Sequence, residues 1–561
     1  MCGVVGISSR DETYIDKALS SIKHRGPDGA GKYIGATVSL GHCLLAITSA
    51  PKEGNQPYKT PRNNILVYNG EIFNYDDLVK QETEFNPKTT CDTELLAWGL
   101  DTYGIDFVHK IDSMHAFVYY DTSKEKLYLS RDHVGIKPLY YARCKEGIVF
   151  ASEIRAVKYK VPTHHKIDPI AYSSWSHLGV NFTRNTFYKG IVRLMPGECM
   201  EYDIPTKEIK LVHRIIPKTE NTRHFDPMEF RHEVKETCRK TIRGLRKIGI
   251  FLSGGLDSSM ITHEIAQMMP SVTAFSNRVN PLPVHKEDFN SDHRCGLQLA
   301  KQLGITHRTV TSSPTMWMEY LRDSVLHLEE PFYNSSLPMY CQTNREMAHE
   351  KCVVTIAGDM GDEVLGGYPK YRHVPTNNVT WRQLIQHWMK RLASPPRVRC
   401  DLDLNDILNI LQQDVFPETM YNPEDILNSF MLMDVTANCS ADFFQRNDRF
   451  GMAYGMEGRF PLATKQFINY AMSMPSSEKI QGTGLKMMTK KAYKDILPEE
   501  IINKPKTGWT APHQQWVQMG GHEQNILQRH QPLDVLPYRG KKTESVMHQF
   551  CLWRDLNQMT T

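Results

Sequence analysis

The run that most constrains this chain is Leu252-Ser253-Gly254-Gly255-Leu256-Asp257-Ser258-Ser259. It follows Ile248-Gly249-Ile250-Phe251, which reads as a buried strand, and precedes apolar residues at helical spacing, Ile261, Ile265 and Met268. A strand that breaks at paired glycines and restarts as a helix builds an anion cradle. Gly254 and Gly255 let the backbone approach an anion closely, and the helix start offers N–H groups and the positive end of its dipole. Ser253, Ser258 and Ser259 can add hydroxyl donors. Asp257 is the odd member: a carboxylate beside a polyanion makes sense if it holds Mg²⁺ between them. A lone Gly-Gly usually does no more than turn the chain into an ordinary helix. Here the polar and glycine positions in this order, between strand and helix, argue otherwise, and the lysine of G-x-x-x-x-G-K-[ST] is missing.

The N-terminus carries a second signal, Met1-Cys2-Gly3-Val4-Val5-Gly6-Ile7. Once Met1 is removed, Cys2 has a free α-amine with an ordinary pKa of roughly 7.7–8.0, near that of its own thiol at about 8.5. An amine within reach of a thiol can serve as its general base, so one residue supplies both nucleophile and proton acceptor. A cysteine taken alone is better read as a buried structural residue. Its position, and the segments that follow it, shift the balance.

Those segments are His24-Arg25-Gly26-Pro27-Asp28, Asn69-Gly70-Glu71-Ile72-Phe73-Asn74, Cys91-Asp92-Thr93-Glu94, Arg131-Asp132-His133-Val134-Gly135-Ile136-Lys137-Pro138 and Phe150-Ala151-Ser152-Glu153. With Cys2 they resemble a class II (N-terminal nucleophile) glutamine amidotransferase domain over about the first third of the chain. An amidase needs an oxyanion hole, which the Asn69 amide and the Gly70 N–H would supply. The resemblance implies a glutamine site built from Leu44, Leu45, Ala46, Ile47, Thr48, Asn69, Gly70, Glu71 and Asp92, with Asp92 facing the substrate ammonium. One position departs from the pattern. The family segment G-H-x-R-L-[SA]-I is here Gly41-His42-Cys43-Leu44-Leu45-Ala46-Ile47, so Leu44 stands where an arginine clamps the glutamine α-carboxylate. Losing one partner of such a pair typically costs about 2–5 kcal/mol. Either another cation takes the role, Arg25 being the nearest motif candidate, or glutamine binds poorly, or the site works on another amide.

The glycine-serine run resembles the pyrophosphate-binding loop of enzymes that adenylate a substrate, and the rest of the chain extends the likeness. Val353-Val354-Thr355-Ile356-Ala357 reads as a strand running into Gly358-Asp359-Met360-Gly361-Asp362-Glu363, with Gly366-Gly367-Tyr368 beyond. Glu329-Glu330-Pro331-Phe332, Asp448-Arg449, Met456-Glu457-Gly458-Arg459-Phe460-Pro461, Lys486 and Lys504-Pro505-Lys506-Thr507-Gly508-Trp509 follow in the same order as in the glutamine-hydrolysing asparagine synthetases. This resemblance implies an ATP site of Leu252 to Ser259, Asn277, Ala357, Gly358 and Lys486. It also implies Mg²⁺ carboxylates at Asp257 and Asp362 and a catalytic role for Asp359. A lone lysine is usually a solvated charge; motif order is what singles out Lys486, and Lys506 less so.

Composition excludes several other classes. A net charge of +4 over 561 residues, without basic tracts, gives no footprint for nucleic acid or a membrane surface. Twelve cysteines without C-x-x-C pairs suggest reduced thiols in a cytoplasmic protein and no zinc site. No signal peptide is expected from the sequence, and it contains no 18-residue apolar run. The sequence predicts two domains: residues 2–212, an antiparallel sandwich of the N-terminal-nucleophile hydrolase type, and residues 227–561, a doubly wound parallel-sheet domain. The latter has strands at 248–252, 272–276, 307–310 and 353–357. A polar linker is expected around Ile215–Asp226, and helical decoration over 374–423, which holds Pro395-Pro396, Trp381 and Trp388. The implied substrates are small: glutamine or ammonia, ATP, and aspartate or another carboxylate; a homodimer is compatible with the family. Two rival readings remain. One is a same-fold enzyme acting on a sugar or peptide carboxylate, or closing a ring; the other is a non-catalytic glutamine-binding protein.

Overall fold

The structure is a computed structural model that describes residues 2–280, 288–332, 334–392, 398–505, 512, 516 and 541–559. Lys506–Trp509 and Pro395-Pro396 lie outside the described residues.

The first 214 residues contribute β1 (Gly3–Ile7), β2 (Gly29–Ile34), β3 (Ser39–Leu44), β4 (Tyr58–Lys59), β5 (Ile65–Ile72), β6 (Ser113–Asp121), β7 (Lys126–Arg131), β8 (Tyr140–Cys144), β9 (Gly147–Ala151), β10 (Val192–Arg193), β11 (Glu198–Asp203) and β12 (Ile209–Arg214). They form two antiparallel sheets in the orders β10-β8-β9-β1-β3-β2 and β12-β11-β7-β6-β5-β4. Successive side chains of a strand face opposite ways, and both faces of each sheet are covered. Val4, Leu40, Val67 and Val118 meet between the sheets. Val5 and Ile7 point outward to α1 (Glu12–Ser21) and α3 (Pro169–Leu178), while Leu66 and Tyr68 pack under α2 (Asp92–Tyr103). The result is the expected antiparallel sandwich.

Ile215–Asp226 has no regular structure, as expected for a linker. It ends where Asp226 Oδ1 accepts from the Met228 and Glu229 N–H groups to start α4 (Pro227–Thr241), with Pro227 in the first turn. Beyond it, β13 (Ile248–Phe251), β14 (Thr273–Val279), β15 (Thr306–Ser312), β16 (Val354–Ile356) and β17 (Glu457–Arg459) form one parallel sheet in the order β15-β14-β13-β16-β17. The chain leaves central β13 toward β14 on one side and later returns to pair β16 on the other. The crevice at the strand C-termini between β13 and β16 is therefore the switch point at which such sheets bind ligands. The four expected strands are present; β17 was not legible, because Glu-Gly-Arg has no strand periodicity. Helices Trp381–Lys390 and Leu404–Ile410 bear out the helical decoration.

The two halves share one apolar core. Leu45, Ile47, Met114, Val134 and Ile136 of the first pack in a continuous cluster with Ile250, Phe460 and Leu462 of the second. Among the described residues no helix is long and apolar enough to cross a membrane.

Candidate functional sites

At the N-terminal site Cys2 is buried just ahead of β1, and its backbone N–H donates to Asn69 Oδ1 at 2.9 Å. Asn69 Nδ2 is buried without a hydrogen-bond partner. A buried amide donor with nothing to bind is costly unless something else accepts from it. Its position beside the Cys2 backbone makes it available to an oxygen that becomes anionic near the thiol. Burial pushes the Cys2 thiol above its ordinary value, so the site needs a base to form thiolate. Gly70 follows on β5, and a Cβ there would lie 2.3 Å from the Met114 carbonyl, so no other residue fits.

Cys2, Leu44 to Thr48, Gly70, Glu71 and Asp92 line a single narrow pocket of about 30 Å³, with Gln56, Tyr68 and Cys91. Asp92 Oδ2 accepts from the Tyr68 hydroxyl at 2.9 Å and the Ile72 N–H at 3.0 Å. Burial raises its pKa, and the Arg243 charge opposes that. Among the described residues the pocket wall holds three carboxylates (Glu71, Asp92 and Glu457) and no basic side chain. Leu44 packs directly with Cys2 and Ala46.

Arg25 does not fill the place of the missing arginine. It is fully buried outside the pocket wall, its Nε donating to the Cys2 carbonyl at 3.2 Å and its Nη1 and Nη2 to Asp448 at 2.8 and 3.0 Å. A bidentate pair of this kind leaves the guanidinium committed. Arg243 and Arg459 also lie behind the wall, each 3.0 Å from Glu71, and both charges are engaged by that carboxylate. Glu457 is a residue that sequence reasoning quoted without giving it a role. β17 carries it from the far sheet into the Cys2 pocket, a proximity that only the closed fold creates.

The second site is a cavity of about 540 Å³ at the switch point. Its wall includes Ser253, Gly255, Leu256, Asp257, Ser258, Asn277, Ala357, Gly358, Asp359, Asp362 and Lys486. Leu252, Gly254 and Ser259 do not reach the wall; they are buried behind it. Gly254 adopts φ +80°, and a Cβ would lie 2.1 Å from the Asp292 carbonyl, so the loop packs on α6 (Ser291–Gln302) only because this residue is glycine. The Ser253 and Ser258 hydroxyls bond each other at 2.9 Å and brace the turn into α5 (Leu256–Met268), whose start has no side-chain cap. That leaves a helix N-terminus facing the cavity.

Asp257 and Asp362 face each other across this cavity, and the Lys486 ammonium contacts both. Burial works against the Lys486 charge, but the two carboxylates outweigh it and raise its pKa. Lys486 sits in the left-handed region at φ +55°, a strained placement for a lysine and typical of a functional position. The neighbouring glycines make room for the carboxylates. A Cβ on Gly361 would lie 2.5 Å from Asp257 Cγ, and one on Gly367 would lie 1.9 Å from Asp362 Oδ1. Paired carboxylates in a cleft of this kind fit Mg²⁺, which prefers oxygen ligands and phosphate partners. Asp359 Oδ2 accepts from Asn447 Nδ2 at 3.1 Å, with the Arg446 guanidinium 3.6 Å away. Arg446 is a second wall residue that the motifs did not flag.

Comparison with known proteins agrees with this layout. A glutamine amidotransferase domain model matches residues 1–212, and an asparagine synthase model matches residues 229–543, more than half of the chain. Asparagine synthetase [glutamine-hydrolyzing] 1 of Bacillus subtilis (strain 168) is 26% identical, over 95% of this chain and 90% of its own length. A putative asparagine synthetase [glutamine-hydrolyzing] 2 of Methanocaldococcus jannaschii is 28% identical over 76% of this chain and 86% of that protein. Amidase chyE of Penicillium rubens is 26% identical over 64% of this chain and 55% of that protein. This chain belongs to the asparagine synthase family.

Proposed function

We propose that this chain is an ATP-dependent amidotransferase that frees ammonia from glutamine at Cys2 and adds it to a carboxylate activated in the 540 Å³ cavity. The acceptor is aspartate, and the products are asparagine, AMP and pyrophosphate. The observation that carries the reading is the meeting of Asp257, Asp362 and Lys486 beside an uncapped helix start at the switch point of a parallel sheet. Residues 2–212 and 227–561 serve as the two functional domains.

At the first site the Cys2 sulfur attacks the side-chain amide of glutamine. Asn69 Nδ2 and the Gly70 N–H donate to the tetrahedral oxyanion, ammonia departs, and water hydrolyses the thioester to glutamate. At the second, an oxygen of the acceptor carboxylate attacks the α-phosphorus of ATP. Pyrophosphate leaves into the Ser253–Ser258 turn and the Lys486 charge, giving an acyl-adenylate. Ammonia then attacks the acyl carbon and AMP leaves. Asp257 and Asp362 would hold Mg²⁺, which when bound neutralises phosphate charge. The apolar contact of Met114, Val134 and Ile136 with the synthetase core supports a dry route for neutral ammonia between the sites.

Product analysis with ammonia, Mg²⁺ and ATP tests the proposal. AMP and pyrophosphate should form only with the acceptor present, and Asp257→Asn should abolish them while leaving glutamine hydrolysis intact. Formation of ADP and phosphate refutes it. One observation favours a second reading within the same chemistry. The Cys2 pocket is narrow and acidic, and no cation among the described residues lines it, which suits an enzyme driven mainly by free ammonia.

A further inference from the structure

We propose that Asp106, His109 and His213 form a site for a divalent transition-metal ion of the zinc class, which clips the last strand of the antiparallel sandwich where the linker begins. One ligand atom from each side chain lies within 4.8 Å of the other two. An ion centred among atoms that close is at most about 2.8 Å from each. Side-chain rotation of about 1 Å then reaches the roughly 2.0–2.2 Å of zinc–imidazole and zinc–carboxylate bonds.

The local structure explains the convergence. Asp106 and His109 lie on the short 3₁₀ helix Gly104–His109, in which side chains three residues apart stand one above the other. His213 comes from β12, the edge strand of its sheet. Cys199 pairs with His213 but Met200 with Leu211, so Val212 is an extra residue on β12. A bulge of this kind bends the strand and re-aims the side chains beside it. The two imidazoles meet with ring centres 4.8 Å apart and planes inclined at 48°.

A separate observation points to a ligand: His213 Nε2 is buried without a hydrogen-bond partner. A buried polar nitrogen left bare is costly, and a neutral imidazole nitrogen is the commonest metal donor. Asp106 and His109 are exposed and leave the ion a way in. Two imidazoles and one carboxylate favour zinc, cobalt, nickel or copper over magnesium, which prefers oxygen ligands. Residue spacing does not show this site, because only the fold joins β12 to the 3₁₀ helix.

The place of the site says what the ion would do. Lys465 Nζ, at the start of α7 (Lys465–Met472), donates to the His109 carbonyl at 2.8 Å. Asp112 accepts from the Lys465 and Gln466 N–H groups at 2.8 and 2.9 Å. Arg214, next to His213, donates to the Asp414 and Val415 carbonyls at 2.7 and 3.2 Å. Both segments that carry the ligands therefore also hold the synthetase domain. An ion joining them fastens the edge strand to the 3₁₀ helix and fixes the root of the linker.

The test titrates metal-stripped full-length protein with Zn²⁺ in millimolar Mg²⁺, which competes for carboxylate sites but not for imidazole. Calorimetry should count one ion per chain with micromolar or tighter Kd. His109→Ala changes an exposed side chain and should weaken that binding by about 100-fold or more, since losing even an outer partner of a ligand costs about 10- to 100-fold. His213→Gln should do the same, and amide exchange over residues 209–214 should slow when Zn²⁺ is added to the wild type. Absence of micromolar binding overturns the inference, as does weak binding spread over several ions. So does a bound ion whose affinity is unaltered by both substitutions, or one that leaves exchange in β12 unchanged.

Discussion

Leu44→Arg tests the most unusual feature of the Cys2 pocket. Leu44 closes β3, is 5% exposed and packs on Cys2 and Ala46, in a pocket whose wall, among the described residues, carries three carboxylates and no cation. A glutamine bound with its amide at Cys2 and its ammonium near Asp92 therefore presents its α-carboxylate to a negative surface. Arginine at position 44 would provide a charge-assisted pair worth about 1.5–3 kcal/mol, or about 10- to 150-fold in affinity. Asp92, on the same pocket wall, is the carboxylate that can offset the desolvation of the added cation, since Glu71 and Glu457 are already paired with arginines. Binding energy felt equally by ground and transition states appears in KM rather than kcat. Glutamate release should therefore show a KM for glutamine lowered by that factor, with kcat little changed, and ammonia-driven pyrophosphate release should not move. The reasoning fails if wild-type enzyme already saturates at micromolar glutamine and Leu44→Arg raises the KM. A cation that the present geometry does not bring to the pocket would then have to be reaching the carboxylate.

Further expectations follow from other sites. Cys2→Ala should remove glutamine-driven turnover and spare the ammonia-driven reaction; intact-mass measurement finding Met1 on active enzyme would rule out the α-amine as base. Gly361→Ala places a methyl group 2.5 Å from Asp257 Cγ and should cut AMP formation by about 100-fold without touching glutaminase activity; near-normal AMP formation would show that the loop can yield. Buried Lys479, bonded to Asn428 Oδ1 at 2.8 Å, has its pKa lowered by burial from 10.5 to about 7. From pH 7 to 10.5 the unfolded chain binds a proton that the folded chain lacks, so stability rises with pH across that window, and the full penalty applies below pH 7. Lys479→Met should raise the Tm at pH 7 and flatten its increase toward pH 9, whereas parallel Tm curves for the two proteins would contradict the assignment.

The sequence by itself determined what is local. Ile248–Phe251 followed by Leu-Ser-Gly-Gly-Leu-Asp-Ser-Ser dictates strand, turn and helix, because β-branched and aromatic residues, paired glycines and a helical apolar period each act within a few residues. The antiparallel sandwich, the linker before Asp226 and four of the five parallel strands were legible for the same reason. Only the tertiary structure decided what depends on residues far apart in the chain. It committed Arg25 to Asp448, 423 positions away, and so removed it as a partner for the glutamine carboxylate. It carried Glu457 from β17 into the Cys2 pocket and set Arg446 between Tyr340 and Phe443 in the second cavity. Neither glutamate nor arginine in a short polar stretch announces such a place. The charge of each acquires its role from the burial and the partners that closure of the shared core imposes, and those are properties of the packed chain rather than of any segment.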